Sequence, residues 1–330
     1  MSWPRFLIAS AVLVLTFAPA QAQPVFVTDF YNNSILRVDS TTGATVPPAV
    51  GSVSLPAAFA YGPDGFLYSA SQGTASIAKI NPSTGAVVGS VTFGGQIQVP
   101  GGVAFAANGD MLVSDFVSQS TPGTGTVKRF TVNPSTGAAT LVTTLASGLN
   151  QPSGLLVNGN NLYFTETNTS TFSGGRLSVV NLTGGAATPL VTGTPGTGFA
   201  GLALSGNTLY YADLLGGAID RYDVGTNTAL AALVAPGGSL ANQFPGGLYI
   251  DSPASILVAD LGSHQFSGAP PDPGNGNLRR YSTVTGLQVG SDIVSNIYGG
   301  AVINVVPEPG TLLLVGGAAA AFAAWRRKRA

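Results

Sequence analysis

The chain has 330 residues, of which 8% are charged, with 45 glycines, 22 prolines, one histidine and no cysteine. The formal charge is −1, and the body over 23–306, at −5 with no basic stripe, argues against nucleic acid as a partner, while the missing cysteine excludes a disulfide framework and a thiolate metal centre. A domain of this length must then be held together by its core alone.

The first element in chain order is MSWPRFLIASAVLVLTFAPAQAQ, in which Arg5 precedes an apolar run over residues 6–17 and Ala20-Gln21-Ala22 follows as a small-x-small triplet. The run is shorter than the ~20 residues that span a bilayer. It therefore reads as a secretory signal peptide, residues 1–22, cut after Ala22. The remaining body, 23–306, carries eight basic and thirteen acidic residues, a net charge of −5.

That body repeats itself. Six leads with small residues each open an apolar strand: Pro56-Ala57-Ala58-Phe59, Pro100-Gly101-Gly102-Val103, Pro152-Ser153-Gly154-Leu155, Phe199-Ala200-Gly201-Leu202, Pro245-Gly246-Gly247-Leu248 and Tyr298-Gly299-Gly300-Ala301. They recur every 44–53 residues, the period of four-stranded propeller blades, ~40–50 residues. The third unit shows the plan. A strand over 102–106 is followed by the Asn108-Gly109 hairpin turn, a strand over 111–114, a third over 126–132 and a fourth over 139–145. The hexamer NPSTGA stands at both 81–86 and 133–138, with a relative, DSTTGA, at 39–44, which points to duplication of a unit. The segment VFVT at 25–28 matches a second strand without its first, and GAVINV at 300–305 matches a first strand without its second. The spacing thus predicts an all-β, six-bladed propeller over 23–306, closed by pairing of the C-terminal strand into the first blade so that no sheet edge stays open.

These blades resemble NHL-repeat and related six-bladed propellers, which read P-x-G-[VL]-A, an N-G turn and a strand ending in A-D. In the gluconolactonase and senescence-marker relatives a Glu, an Asn and an Asp on inner strands hold a divalent metal. Here the corresponding positions are Ser153 for the Asn, Gly246 for the Asp and Tyr298-Gly299-Gly300 where the Glu would be, while the other leads offer Ala57, Gly101 and Ala200. The expectation is no metal, no cofactor and no catalytic residue. A second ring, Asp29, Asp115, Glu166, Asp213 and Asp260, ends the second strands, with Ala70 interrupting the series. Five carboxylates could hold Ca²⁺ or act as acid and base. The plainer expectation is that each accepts backbone N–H groups and fixes a turn. His264, the single histidine, falls in a long loop over 261–277. Loops over 117–125, 168–174 and 261–277 bring Phe116, Phe172 and Phe266 and suit a polysaccharide or protein ligand.

The last element is VVPEPGTLLLVGGAAAAFAAWRRKRA. Pro307-Glu308-Pro309, a fifteen-residue apolar stretch over 311–325 and a basic end resemble the PEP-CTERM sorting signal of Gram-negative bacteria. That resemblance implies a short membrane helix within 307–330, recognition by an exosortase-type membrane protease, transient anchoring at the inner membrane, and release to the cell surface or extracellular matrix. The sequence-level reading is a non-enzymatic binding or structural protein, with a lactonase- or lyase-like metal-dependent propeller as its alternative.

Overall fold

The computed structural model describes residues 24–304 apart from 118–120, 122, 169–173 and 263–274. His264, Phe172, Phe266, the signal peptide and the tail lie outside the described residues. The rest forms six antiparallel sheets. Blade one contributes β1 (Pro24–Asp29) and β2 (Ser34–Asp39). Blade two is β3 (Pro56–Tyr61), β4 (Leu67–Ser71), β5 (Ser76–Ile80) and β6 (Val87–Val91). Blade three is β7 (Pro100–Phe105), β8 (Met111–Asp115), β9 (Gly125–Val132) and β10 (Ala139–Leu149). Blade four is β11 (Pro152–Asn158), β12 (Asn161–Glu166), β13 (Arg176–Asn181) and β14 (Thr188–Thr192). Blade five is β15 (Phe199–Ser205), β16 (Thr208–Asp213), β17 (Ala218–Asp223) and β18 (Thr228–Val234). Blade six is β19 (Pro245–Ser252), β20 (Ser255–Asp260), β21 (Gly276–Ser282) and β22 (Val294–Ile297). The last strand, β23 (Val302–Asn304), pairs with β1 through Val25↔Asn304, Phe26↔Ile303 and Val27↔Val302.

Three sequence expectations need adjustment. Blade one has three strands, its fourth reduced to a single bridge between Val38 and Thr45. The fourth strand of blade three runs on to Leu149, because three register shifts let it bend without leaving the sheet. The sixth lead is displaced by one residue: Gly300, not Gly299, joins Ala57 and Gly101 at the axis, so Gly299 stands where the other leads have Pro or Phe. The apolar stretch 311–325 is beyond the described residues, and among those described no helix is long and apolar enough to cross a membrane.

The core lies between blades. Each second strand is buried on both faces, as in the unbroken burial of MLVSD over β8, and sends side chains alternately to its two neighbours. Phe130, Met111 and Val113 pack toward blade two, while Leu112 and Val127 pack toward blade four. The repeated third-to-fourth-strand turn supplies a second contact. The Oδ1 of Asn81 accepts the N–H groups of Ser83 and Thr84, and Asn133 does the same for Ser135 and Thr136. Asp39 repeats this with Thr41 and Thr42, and Asp223 with Gly225 and Thr226; these backbone donors hold both carboxyls below the usual carboxylate range. The glycine ending the turn adopts φ of 69–72° at 43, 85 and 137 and lies against the preceding blade. A Cβ at Gly137 would sit 2.2 Å from the Ser90 carbonyl oxygen, and Gly43 meets the Ile293 carbonyl in the same way. The latter contact and the bond from Arg280 to the Ser40 carbonyl (2.8 Å) seat blade one on blade six.

The inner strands crowd the axis. A Cβ at Gly102 would lie 2.1 Å from the Ser153 oxygen, at Gly154 2.4 Å from the Ala200 oxygen, and at Gly201 2.4 Å from the Gly246 oxygen. Blades three to six therefore need glycine where the inner strand meets its neighbour, while blades two and one accommodate Ala58 and Ala301 there. Gly102→Ala is expected to cost about 2–3 kcal/mol through overpacking. Gly89→Ala, on β6 with nothing within 4 Å of its Cβ, is expected to be neutral or to stabilise by up to ~1 kcal/mol. Urea unfolding of the two variants checks both.

Candidate functional site at the propeller axis

The six axial positions, Ala57, Gly101, Ser153, Ala200, Gly246 and Gly300, form the floor of a cavity of about 190 Å³. The wall around them is also built once per blade: Phe30, Gln72, Phe116, Thr167, Leu214 and Leu261, each the residue directly after the end of a second strand. One hydrogen bond repeated six times holds this wall. The N–H groups of those residues donate to the carbonyls of Tyr298, Leu55, Val99, Gln151, Gly198 and Phe244 at 2.7–3.2 Å. Tyr31 and Gln151 complete the lining, and among the described residues no lining side chain is charged.

The lining divides by polarity. Phe30, Tyr31, Leu214 and Leu261 form an apolar arc on blades one, five and six, supported from behind by buried Tyr298. The Tyr31 ring stands edge-on to both Phe30 and Tyr298, with centroids 5.0 and 5.1 Å away. Gln72 on blade two and Gln151, Ser153 and Thr167 on blade four give the polar groups, on either side of Phe116 on blade three. Phe116 reaches over Gly101 so closely that a Cβ there would stand 2.4 Å from its Cε1. That glycine makes room for the ring. Below the floor, a narrower space of about 80 Å³ continues along the axis between the inner strands.

The second-strand carboxylates sit just behind the wall and turn away from it, because consecutive strand residues point to opposite sides. Asp115 Oδ1 accepts the N–H groups of Gln98, Val99 and Val117 at 3.1, 2.8 and 3.1 Å. Glu166 accepts from Asn150 at 2.7 Å, Asp213 from Gly198 and Gly216 at 2.8 and 2.9 Å, and Asp29 from Tyr298 at 3.1 Å. Asp260 accepts from Gly262 and Asn277 and pairs with Arg279 at 3.2 Å. The position that breaks the series is Ser71 and not Ala70, since Ser71 lies opposite Pro56 as Asp115 lies opposite Pro100. Its hydroxyl reverses the polarity of the clamp and donates to the Ser54 carbonyl at 2.8 Å.

The five carboxylates are thus spread one per blade and engaged with backbone. Among the described residues no three His, Cys, Asp or Glu side chains converge as metal ligands do. At the axial positions themselves the only side-chain donor is the Ser153 hydroxyl, so a divalent cation of the lactonase kind does not fit these residues. Burial raises Glu166 and Asp213, and lifts Asp260 to about 7 against the opposing pull of Arg279. Asp220, beside Tyr211 on the next strand, rises to about 6 through burial and the nearby Asp213 charge.

The wall residues were missed by sequence reasoning, apart from Phe116. Their signal was the position one past each strand-ending acid, which only the fold turns toward the axis.

Comparison with protein families matches residues 305–328 to the PEP-CTERM protein-sorting motif. Comparison with curated protein sequences finds no match. Among solved structures, the chain is similar to one in the Nidogen/Laminin complex (TM-score 0.60, 13% identity, covering 86% of this chain and 98% of that one). It is similar also to a candidate 6-phosphogluconolactonase from Bacteroides uniformis (TM-score 0.51, 17% identity, 86% and 99% covered) and a candidate TolB from Agrobacterium tumefaciens (0.50, 14%, 85% and 92%). At these identities the likeness is one of fold. The chain is a six-bladed β-propeller with a motif that marks substrates of exosortase processing, for export and membrane-associated sorting in Gram-negative bacteria.

Two outcomes are expected. Asp115→Ala strands three backbone donors and should cost about 3 kcal/mol, measured by denaturant unfolding, with Asp115→Asn costing less. Asp220 keeps its proton to about pH 6 when folded but releases it near 4 when unfolded, so its contribution to stability is complete below pH 4 and is lost as pH rises through 6. Asp220→Asn should flatten that decline in a series of melting temperatures between pH 4 and 7.

Proposed function

We propose that this is an exported, non-enzymatic propeller that binds a neutral carbohydrate of the cell surface or matrix in its axial cavity. One observation carries the reading: among the described residues, the mouth built by all six blades is lined by aromatic and aliphatic side chains and by amide or hydroxyl groups, with no charged side chain. A pyranose ring has an apolar face for Phe30, Tyr31 or Phe116 and hydroxyls for Gln72, Gln151 and Thr167. At about 190 Å³ the cavity is smaller than the ~300–1,000 Å³ of sites for drug-sized ligands and suits a single ring. The hydrolytic alternative needs an activated nucleophile or metal-bound water, and the described lining residues include neither a carboxylate nor an imidazole for it.

Along the chain, a signal peptide over 1–22 is removed after Ala22, the propeller occupies 23–306, and Pro307, Glu308 and Pro309 mark the tail, 307–330, for an exosortase. NHL-type duplication of one blade accounts for the repeated NPSTGA turns.

Isothermal titration against neutral glycosides and uronic-acid glycosides tests the site. Binding is expected with the neutral set alone, and Phe116→Ala should abolish it while leaving the melting temperature near that of the parent. Preference for the charged set, or tight Ca²⁺ whose removal by EDTA lowers the melting temperature, would reject the proposal. The intact mass of the protein from its own host tests the sorting: a C-terminus within 307–310 means a tail read and removed, and one at Ala330 a retained anchor.

A further inference from the structure

The two strands that carry the processing junctions are neighbours. β1 begins at Pro24, two residues after the expected signal-peptide cut, and β23 ends at Asn304, directly before the first residue of the matched sorting motif. They pair antiparallel with Val25 opposite Asn304, so the two junctions leave the fold side by side.

Strand direction says which face this is. β1 runs from Pro24 up to Asp29, and the next residue, Phe30, lines the axial mouth. The chain then runs the other way, from Gly300 on the mouth floor through β23 (Val302–Asn304). Both junctions therefore lie at the end of the barrel opposite the mouth. From Asn304 to Pro307 the chain reaches at most ~10 Å, so the motif cannot wrap to the other face, which is a strand length of ~20 Å away.

We infer that the face opposite the axial mouth is the one the protein presents to the membrane and to its processing protease, so that the mouth opens away from the bilayer before the tail is cut. This rests on the sorting reading and on nothing assumed about the ligand. The consequence is functional: the binding site is accessible while the chain is still anchored, and the protease must work within ~10 Å of the folded ring or loosen β23 to gain room.

The absence of cysteine makes the test direct. Two single-cysteine variants of the full chain, Ser135→Cys and Gln98→Cys, place a probe at exposed positions of blade three: Ser135 in the turn away from the mouth, Gln98 beside it. Each is labelled with a fluorophore and reconstituted uncut into vesicles whose headgroups carry a quencher. Loss of most of the emission from the Ser135→Cys probe, with that from Gln98→Cys retained, is the expected result. Equal quenching, or stronger quenching of Gln98→Cys, in protein that floats with the vesicles overturns the orientation alone. Failure of either protein to float with the vesicles overturns the anchoring on which it depends, and leaves the sugar-binding proposal to its own titration.

Discussion

The structure depends on one clamp made six times. Where a second strand ends, the next residue donates its N–H to the lead of the inner strand, and in five of the six blades the strand-ending side chain, acid or serine, ties down the same lead, whereas in blade six Asp260 instead holds Gly262 and Asn277. The blade's top corner is closed by this pair. Without it the lead would have to satisfy its buried amides elsewhere, which costs ~1–3 kcal/mol for each one left unpaired. It also holds Leu55, Gln151 and Phe244 at φ of 46–53°, a region that disfavours side chains with a Cβ and persists only where surroundings over-determine it.

The clamp explains why the axial cavity has its character. The charged group of each clamp is spent on backbone behind the wall, and strand alternation turns the following side chain to the axis. Five of the six strands end in an acid, yet among the described residues none of the side chains lining the cavity is charged. Its chemistry is set instead by the residue next after each strand end, aromatic or aliphatic on blades five, six and one, and on blades two to four amide or hydroxyl with Phe116 between them. Buried carboxylates with raised pKa often mark catalytic sites, but the raised Glu166, Asp213 and Asp260 are explained by burial, and each is hydrogen-bonded to backbone within its own blade.

Close approach of inner strands imposes the second constraint. Glycines at 102, 154 and 201 stand where a Cβ would strike a carbonyl oxygen of the next blade, and outer-turn glycines at 43, 85 and 137 do the same at the rim. These glycines are therefore a packing requirement at two radii of the ring. Together the two contacts leave each blade little freedom to slide on its neighbour.

Much of this was legible in the chain. The 44–53-residue period, the NPSTGA turns and the unpaired half-units at the two ends specify blade number and topology, because blade repetition leaves a mark in local pattern that no long-range information is needed to read. The sorting motif is equally local. Three things were decided only by tertiary structure. The sixth lead slipped by one residue, since pairing with β1 and not spacing sets its register; the first blade's outer strand shrank to a bridge; and residues after the acids became the wall of a cavity. Period and turn chemistry are properties of neighbours in sequence, whereas a wall made of six side chains some fifty residues apart exists only when the ring brings them to one axis.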